Sequence, residues 1–240
     1  MICQLLNGRT EHTPRLGGKT LLRIRDGSCS LPDMPRRHRL QIPGTPHHVI
    51  QRGVNRGDIF RTPSDYECFL RIFRTAAAAH ETDVHTYVLM TNHIHFIVTP
   101  RVEGALSKTM KNVGQTYVRY FNRRYERTGG LFDGRYRSLA IDSESYWFTC
   151  MRYVELNPVR AGIAGRPEEY RWSSYRFHAL GERDDLIVPH RLYVALGNTT
   201  SMRQQCWRAI CGEALAEEQL AEMRDLVRYG RAVRHRRPTT

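Results

Sequence analysis

The stretch VHTYVLMTNHIHFIVTP, residues 84–100, decides the fold. Two apolar, β-rich runs, HTYVLM (85–90) and HIHFIVT (93–99), are separated only by Thr91 and Asn92, which is the pattern of a tight hairpin. Side chains alternate across a strand, so His93, His95 and Ile97 share one face while Ile94, Phe96 and Val98 share the other. The second set is wholly apolar and is expected to meet helices. The first places two imidazoles side by side on the open face of the sheet, where they can grip one divalent metal ion. A histidine pair making ordinary hydrogen bonds is the plainer reading of the same spacing.

Outward from the hairpin, the pattern alternates between the two periods. Residues 45–54 (TPHHVIQRGV) read as a strand ending in the polar turn NRGD. Residues 64–81 follow as a helix, with Ser64 as N-cap, Glu67 completing a capping box, and Tyr66, Phe69, Leu70 and Phe73 at helical spacing. Downstream, residues 105–127 form a long amphipathic helix stopped by Gly129 and Gly130, and RSLAI (137–141) forms a short strand. A further helix over 143–157 is capped by Ser143 and stopped by Pro158. The order β-α-β-β-α-β defines an α+β chain with a ferredoxin-like antiparallel sheet, helices on one face, and that further helix leading away from it. Residues 1–33 show no sustained periodicity and read as a disordered or loosely attached leader, with Met34 a plausible start of the domain. The domain itself is expected over 34–180. Residues 181–240 read as a polar linker and a helical C-terminal extension with the basic tail RAVRHRRPTT.

Composition narrows the partners. A formal net charge of +13 over 240 residues, with arginine outnumbering lysine and basic residues in the middle of the chain as well as its ends, fits a phosphate-rich partner. No apolar run approaches the roughly 18 residues of a membrane span, so no membrane partner is expected. The amino terminus is too polar for a signal peptide, and the expected compartment is the cytoplasm. Six scattered cysteines form no framework and read as reduced thiols.

The second chemical signal lies in RYVELNPVRAG. Tyr153 and Asn157 are four residues apart and project from one face of a helix. A phenol supplies a nucleophile and an amide oxygen a third metal ligand, a set suited to covalent cleavage of a phosphodiester. With an unperturbed pKa of about 10, tyrosine is a weak nucleophile at neutral pH, so the metal must polarise the phosphate. The alternative is that Tyr153 packs its ring and Asn157 caps the helix before Pro158. Tyr117 and Tyr120 are rival nucleophiles, although YFNRRY, with Arg123 and Arg124, reads better as a DNA-facing helix.

Three motifs in order, VLMTNHIHFIVTP, YVRYFNRRYERTGGLFDGRYRS and MRYVELNPVRAG, resemble those of the REP-associated tyrosine transposases, relatives of the single-tyrosine HUH (IS200-like) transposases; the likeness covers roughly residues 35–175. The resemblance implies a ferredoxin-like HUH domain that nicks single-stranded DNA at hairpin-associated sites. It implies that His93 and His95 hold Mg²⁺ or Mn²⁺ with Asn157 helping to complete the site, and that Tyr153 attacks the scissile phosphate. The products would be a 5′-phosphotyrosine and a free 3′-hydroxyl.

Single strands are held by cationic grooves with aromatic platforms. GGLFDGRYRS offers Phe132 and Tyr136 interleaved with Arg135 and Arg137, and QRGVNRGD offers Arg52, Asn55 and Arg56. Arg36 and Arg37 in MPRRHR read either as a basic arm lying in a groove or as a non-specific tether to DNA. The leader and the C-terminal extension fall outside the shared motifs, which leaves monomer and homodimer both open. A non-catalytic DNA-binding protein is the competing class. A zinc hydrolase is disfavoured because no further His or Asp follows the HIH motif closely.

Overall fold

The computed structural model describes residues 42–229. The leader, Arg36, Arg37 and the basic tail therefore lie outside the described residues. Four strands pair in the order β2-β3-β1-β4: β1 (His47–Arg52), β2 (Thr82–Met90), β3 (His93–Pro100) and β4 (Arg137–Ala140). Every neighbouring pair is antiparallel. With α1 (Pro63–Ala79) between β1 and β2, and α2 (Ala105–Arg124) between β3 and β4, this is the expected ferredoxin-like arrangement.

The sheet has two covered faces, not one. Ile94, Phe96 and Val98 meet α1 and α2 in a core that includes Phe69, Phe73, Val113, Tyr117 and Phe121. The expected open face is closed by α3 (Glu144–Glu155), whose Trp147, Met151, Tyr153 and Val154 pack with Val88, Met90 and Ile97. The reason is visible in the residues: β2 contributes Val88 and Met90, and β3 Ile97, to the histidine face, an apolar surface that must be removed from water. The helix expected to lead away folds back to do this.

The residues beyond α3 continue the packing. Backbone groups of Trp172, Ser174 and Val188 bond to Leu89, Tyr87 and Val84 along β2, covering an edge that would otherwise offer unpaired groups. The segment read as a linker thus lies against the sheet, with Asp184 accepting from the Tyr87 hydroxyl at 2.7 Å. Helices α4 (Asn157–Arg160), α5 (Arg191–Val194), α6 (Thr200–Gly212) and α7 (Glu217–Tyr229) follow. Among them, α6 and α7 back the outer side of α3 through Trp207 and Met223. The cysteines at 68, 150, 206 and 211 carry no disulfide. No helix among the described residues is long and apolar enough to cross a membrane.

The start of α1 differs from expectation. Its N-cap is Thr62 and its capping box closes on Asp65, two residues before the Ser64 and Glu67 pair, because Pro63 takes the first helical position, where its missing N–H costs nothing. Asp65 is fully buried. Its carboxylate accepts from the Arg61 and Thr62 backbones at 2.9 Å each, the Tyr125 hydroxyl at 2.7 Å and the Tyr120 hydroxyl at 3.1 Å. Burial works against ionisation there, but the bonds from Tyr125, Arg61, Thr62 and Tyr120 outweigh it and leave the carboxyl below its usual pKa of 3.8.

A depressed carboxylate pKa contributes stability above the unfolded value that is lost as pH falls through the folded one. Asp65→Asn is therefore expected to lose about 2 kcal/mol in urea unfolding at pH 7. The gap to the parent protein should close as the pH falls from about 4 towards 2. An unchanged gap at low pH would contradict the assignment.

Candidate active site

The β1–β3 register builds the site. Ile97, His95 and His93 stand opposite His48, Ile50 and Arg52, so these six side chains share one face. A third histidine therefore joins the pair: His48 Nε2 lies 2.9 Å from His95 Nδ1, the rings stacked at 5.2 Å between centroids. His93 lies edge-on to His95 at 5.0 Å, and its Nδ1 is 2.6 Å from Asn92 Oδ1. His95 is fully buried, and its Nε2 has no hydrogen-bond partner among the described residues.

All three imidazoles are held neutral. Burial lowers His48 to about 4, and burial with the Arg52 charge lowers His93 to about 4. Burial, then His93, His48, Arg160 and Arg52, push His95 well below its ordinary value. Neutral rings keep a lone pair for a cation at physiological pH, and a buried orphan nitrogen is a group that a cation would satisfy. Among the described residues no three His, Cys, Asp or Glu side chains converge on such a point. A metal on this pair would thus draw its further ligands from an amide or from substrate.

Tyr153 reaches the face from α3. Its ring stands edge-on to His95 at 5.8 Å and to His48 at 6.4 Å. Burial raises its pKa, and the Arg160 guanidinium opposes the rise. That guanidinium sits 4.0 Å from the centre of the Tyr153 ring and donates to the Tyr153 carbonyl at 2.6 Å. Tyr153 and Asn157 do not lie on one unbroken helix: α3 ends at Glu155, Leu156 caps it, and Asn157 opens α4 ahead of Pro158, whose ring cannot continue the donor ladder. Asn157 is buried at that break.

Two residues beyond Tyr153, the buried Glu155 carboxylate accepts from Ser174 Oγ at 2.6 Å and Trp207 Nε1 at 2.8 Å. His178 Nδ1 completes its partners at 2.7 Å. These bonds fix the end of α3 to the segments that follow it.

The two arginine-bearing stretches come together beside His93. Residues 131–134 lie along the end of β1 through Val54 N to Leu131 O (3.0 Å), Asp133 N to Arg52 O (2.8 Å) and Gln51 Nε2 to Gly134 O (3.1 Å). The result is a pocket of about 300 Å³ lined by Arg52, Asn55, Arg56, Asp133, Arg135 and Arg137 over Ile50. Four guanidinium groups share it with one carboxylate. Burial and the charges of Arg56 and Arg137 lower the proton affinity of Arg52, the mark of cations held together against their repulsion. An anion would relieve it.

Other expected contacts fall elsewhere. Tyr136 is buried in the α1–α2 core and its hydroxyl lies 3.2 Å from Ser107 Oγ, while Phe132 packs half-buried against the same core. The stacking role expected of Tyr136 is thus not open to it as placed, since hydrophobic burial has claimed the ring. Arg124 is drawn onto Asp65 (3.6 Å) and the Tyr120 hydroxyl (3.1 Å), so it serves the α1–α2 contact. Arg123 remains exposed on α2. The rival nucleophiles sit in the layer opposite the histidines, Tyr117 fully buried with its hydroxyl donating to Ile59 O at 2.6 Å. His48, Arg160 and Glu155 were missed. Arg160 continues the Tyr153–Asn157 spacing and was findable, whereas His48 needed the strand register.

The family described as Transposase IS200 like matches residues 43–157. That stretch carries β1 to β4, α3 and the start of α4, and it is similar to the IS200-like transposases. In fold the chain is similar to a REP-associated tyrosine transposase solved bound to a REP hairpin, with a TM-score of 0.54 and 14% identity over 65% of this chain and 93% of that one. A putative transposase from Deinococcus radiodurans R1 aligns at 15% identity and a TM-score of 0.37, over 50% of this chain and 95% of that one. No curated protein matches the sequence.

The turn that carries Asn55 and Arg56 depends on Gly53. A Cβ there would stand 2.1 Å from the Gly57 carbonyl oxygen and 2.9 Å from Ile59 Cγ2, so backbone must move. Gly53→Ala is expected to lower stability by about 2 kcal/mol in urea titration. Gly130→Ala, whose nearest neighbour would be 3.9 Å away, should change it far less. Equal effects would show that the close approach is not what holds the turn.

Proposed function

We propose that this protein is a metal-assisted strand-transferase acting on single-stranded or hairpin DNA of the REP-like kind, with Tyr153 as nucleophile. The carrying observation is the edge-on approach of Tyr153 to His95 on a face where His93 stands opposite Arg52, one of four arginines that line a single pocket. The phenol oxygen attacks the scissile phosphorus, the P–O3′ bond breaks, and the electron pair leaves with the 3′-oxygen, which takes up a proton. The chain is left as a 5′-phosphotyrosine beside a free 3′-hydroxyl, and the phenol proton passes to solvent.

His93 and His95 would hold Mg²⁺ or Mn²⁺, with the Asn157 amide oxygen as a further ligand. Their neutral rings and the orphan His95 Nε2 fit that role. Such an ion supplies Lewis acidity to a phosphate oxygen. Arg160 lies over the phenol ring, and its charge favours the phenolate that attack requires. Arg52, Arg56, Arg135 and Arg137 bind the flanking phosphates, with Asn55 at the pocket rim. Histidines and tyrosine come from one chain, so this reading needs no second copy for its chemistry.

Two measurements test it. Tyr153→Phe is expected to abolish cleavage of a hairpin-bearing oligonucleotide, by about 10³-fold or more, while binding stays within a few-fold; chelation of divalent ions should act likewise. Cleavage that survives both contradicts the proposal, and binding without cleavage in the parent protein favours a DNA-binding role alone. Arg52→Ala and Arg135→Ala should each weaken binding and reduce the salt dependence of log K by about 1.

A further inference from the structure

We infer that Asn92 is a positioning residue that ties the arginine-bearing turn to His93 and sets which ring nitrogen His93 offers to the site. The inference deepens the proposed metal-assisted reading, although its first test does not depend on a metal.

Asn92 occupies the turn between β2 and β3, next to His93. Its side chain has two partners of fixed character. Nδ2 donates to the Arg56 carbonyl at 3.1 Å, and Oδ1 lies 2.6 Å from His93 Nδ1. A backbone carbonyl only accepts, so the NH₂ end of the amide must face Arg56. The end facing His93 is then the oxygen, which also only accepts. His93 Nδ1 must therefore carry the hydrogen, and Nε2 keeps the lone pair. Reversing the amide would set two acceptors against each other at Arg56, so the backbone carbonyl of a residue in the pocket wall, 36 residues earlier in the chain than Asn92, dictates the tautomer.

The turn is built to hold that carbonyl in place. Asn55 and Arg56 both adopt left-handed backbone, at φ 53° and φ 59°, which non-glycine residues seldom do. The Arg56 N–H donates to Gly53 O at 3.1 Å and Gly57 N–H to Val54 O at 2.8 Å. Gly53 N–H in turn donates to the Asn92 backbone carbonyl at 2.9 Å. Asn92 thus grips the turn by main chain and side chain together, while Asn55 and Arg56 line the cationic pocket and Arg52 faces His93 across the strands. Left-handed residues persist only where surroundings over-determine them, and they concentrate where strain serves a site. Here a single amide connects the backbone that presents the arginines to the nitrogen that His93 presents.

Substitutions separate the two bonds. Asn92→Asp keeps the acceptor for His93 and loses the donor to Arg56, whereas Asn92→Ala loses both. The experiment is long-range proton–nitrogen spectroscopy of the imidazoles in the full ¹⁵N-labelled chain, freed of metal, with His93 signals identified by their loss in His93→Gln. Circular dichroism confirms that each variant is folded. The expected result is a Nδ1-protonated His93 in the parent protein and in Asn92→Asp, and a mixture of tautomers in Asn92→Ala. Calorimetric titration with Mn²⁺ alone should then show affinity reduced roughly 10–100-fold in Asn92→Ala and largely kept in Asn92→Asp. A parent His93 protonated at Nε2, or an Asn92→Ala variant with tautomer and Mn²⁺ affinity unchanged, overturns the role given to Asn92. Absence of Mn²⁺ binding in the parent, with the tautomers as expected, removes the metal reading instead and leaves the positioning by Asn92 standing.

Discussion

A buried carboxylate needs partners, and Glu155 has three, from Ser174, His178 and Trp207. An unpaired charge in that place would cost several kcal/mol, on the order of the whole stability of a domain. The segments that carry these partners must therefore close on the end of α3, and α3 in turn must lie on the sheet. The position of Tyr153, two residues earlier on the same helix, follows from that requirement. The polar bonds of Glu155 and the apolar contacts of Trp147, Met151 and Val154 act together: the contacts press the helix on the strands, and the bonds fix where it ends. The extension after residue 180 thus has a part in the site without touching its chemistry.

The second constraint is repulsion. Four arginines in one pocket and three neutral imidazoles on one face are costly arrangements that cores and turns elsewhere avoid. The chain holds them with a sharp backbone approach at Gly53, two left-handed residues and a loop bonded along the end of β1. Such strain is retained where the surrounding structure over-determines it, and a phosphate at the pocket would relieve the repulsion among the arginines.

Much of this was legible in the residues and some was not. The two-residue period of HIHFIVT fixed the facing of His93 and His95, because alternation depends on local geometry alone. The ferredoxin-like order followed from the same local periods. What escaped depends on register and on competition for burial. His48 meets His95 only through the β1–β3 pairing, which the spacing of histidines does not encode. Tyr136 reads as a partner for DNA by composition, yet its ring is taken by the core. The covering of the histidine face depends on the β2–β3 register, which places Val88 and Met90 beside His95 and His93 and so makes that face apolar enough to need a helix. Arg160 was within reach, since it stands three residues after Asn157 in the same NPVR stretch.

The central claim is that Tyr153, and no other tyrosine, becomes bonded to DNA. Incubation of the full chain with a hairpin-bearing oligonucleotide and Mn²⁺, followed by nuclease and tryptic digestion and mass spectrometry, tests it directly. The account predicts a nucleotide attached to YVELNPVR, residues 153–160, whose tyrosine is Tyr153. A nucleotide on a peptide carrying Tyr117 or Tyr120, or cleaved DNA with no modified peptide, would contradict it.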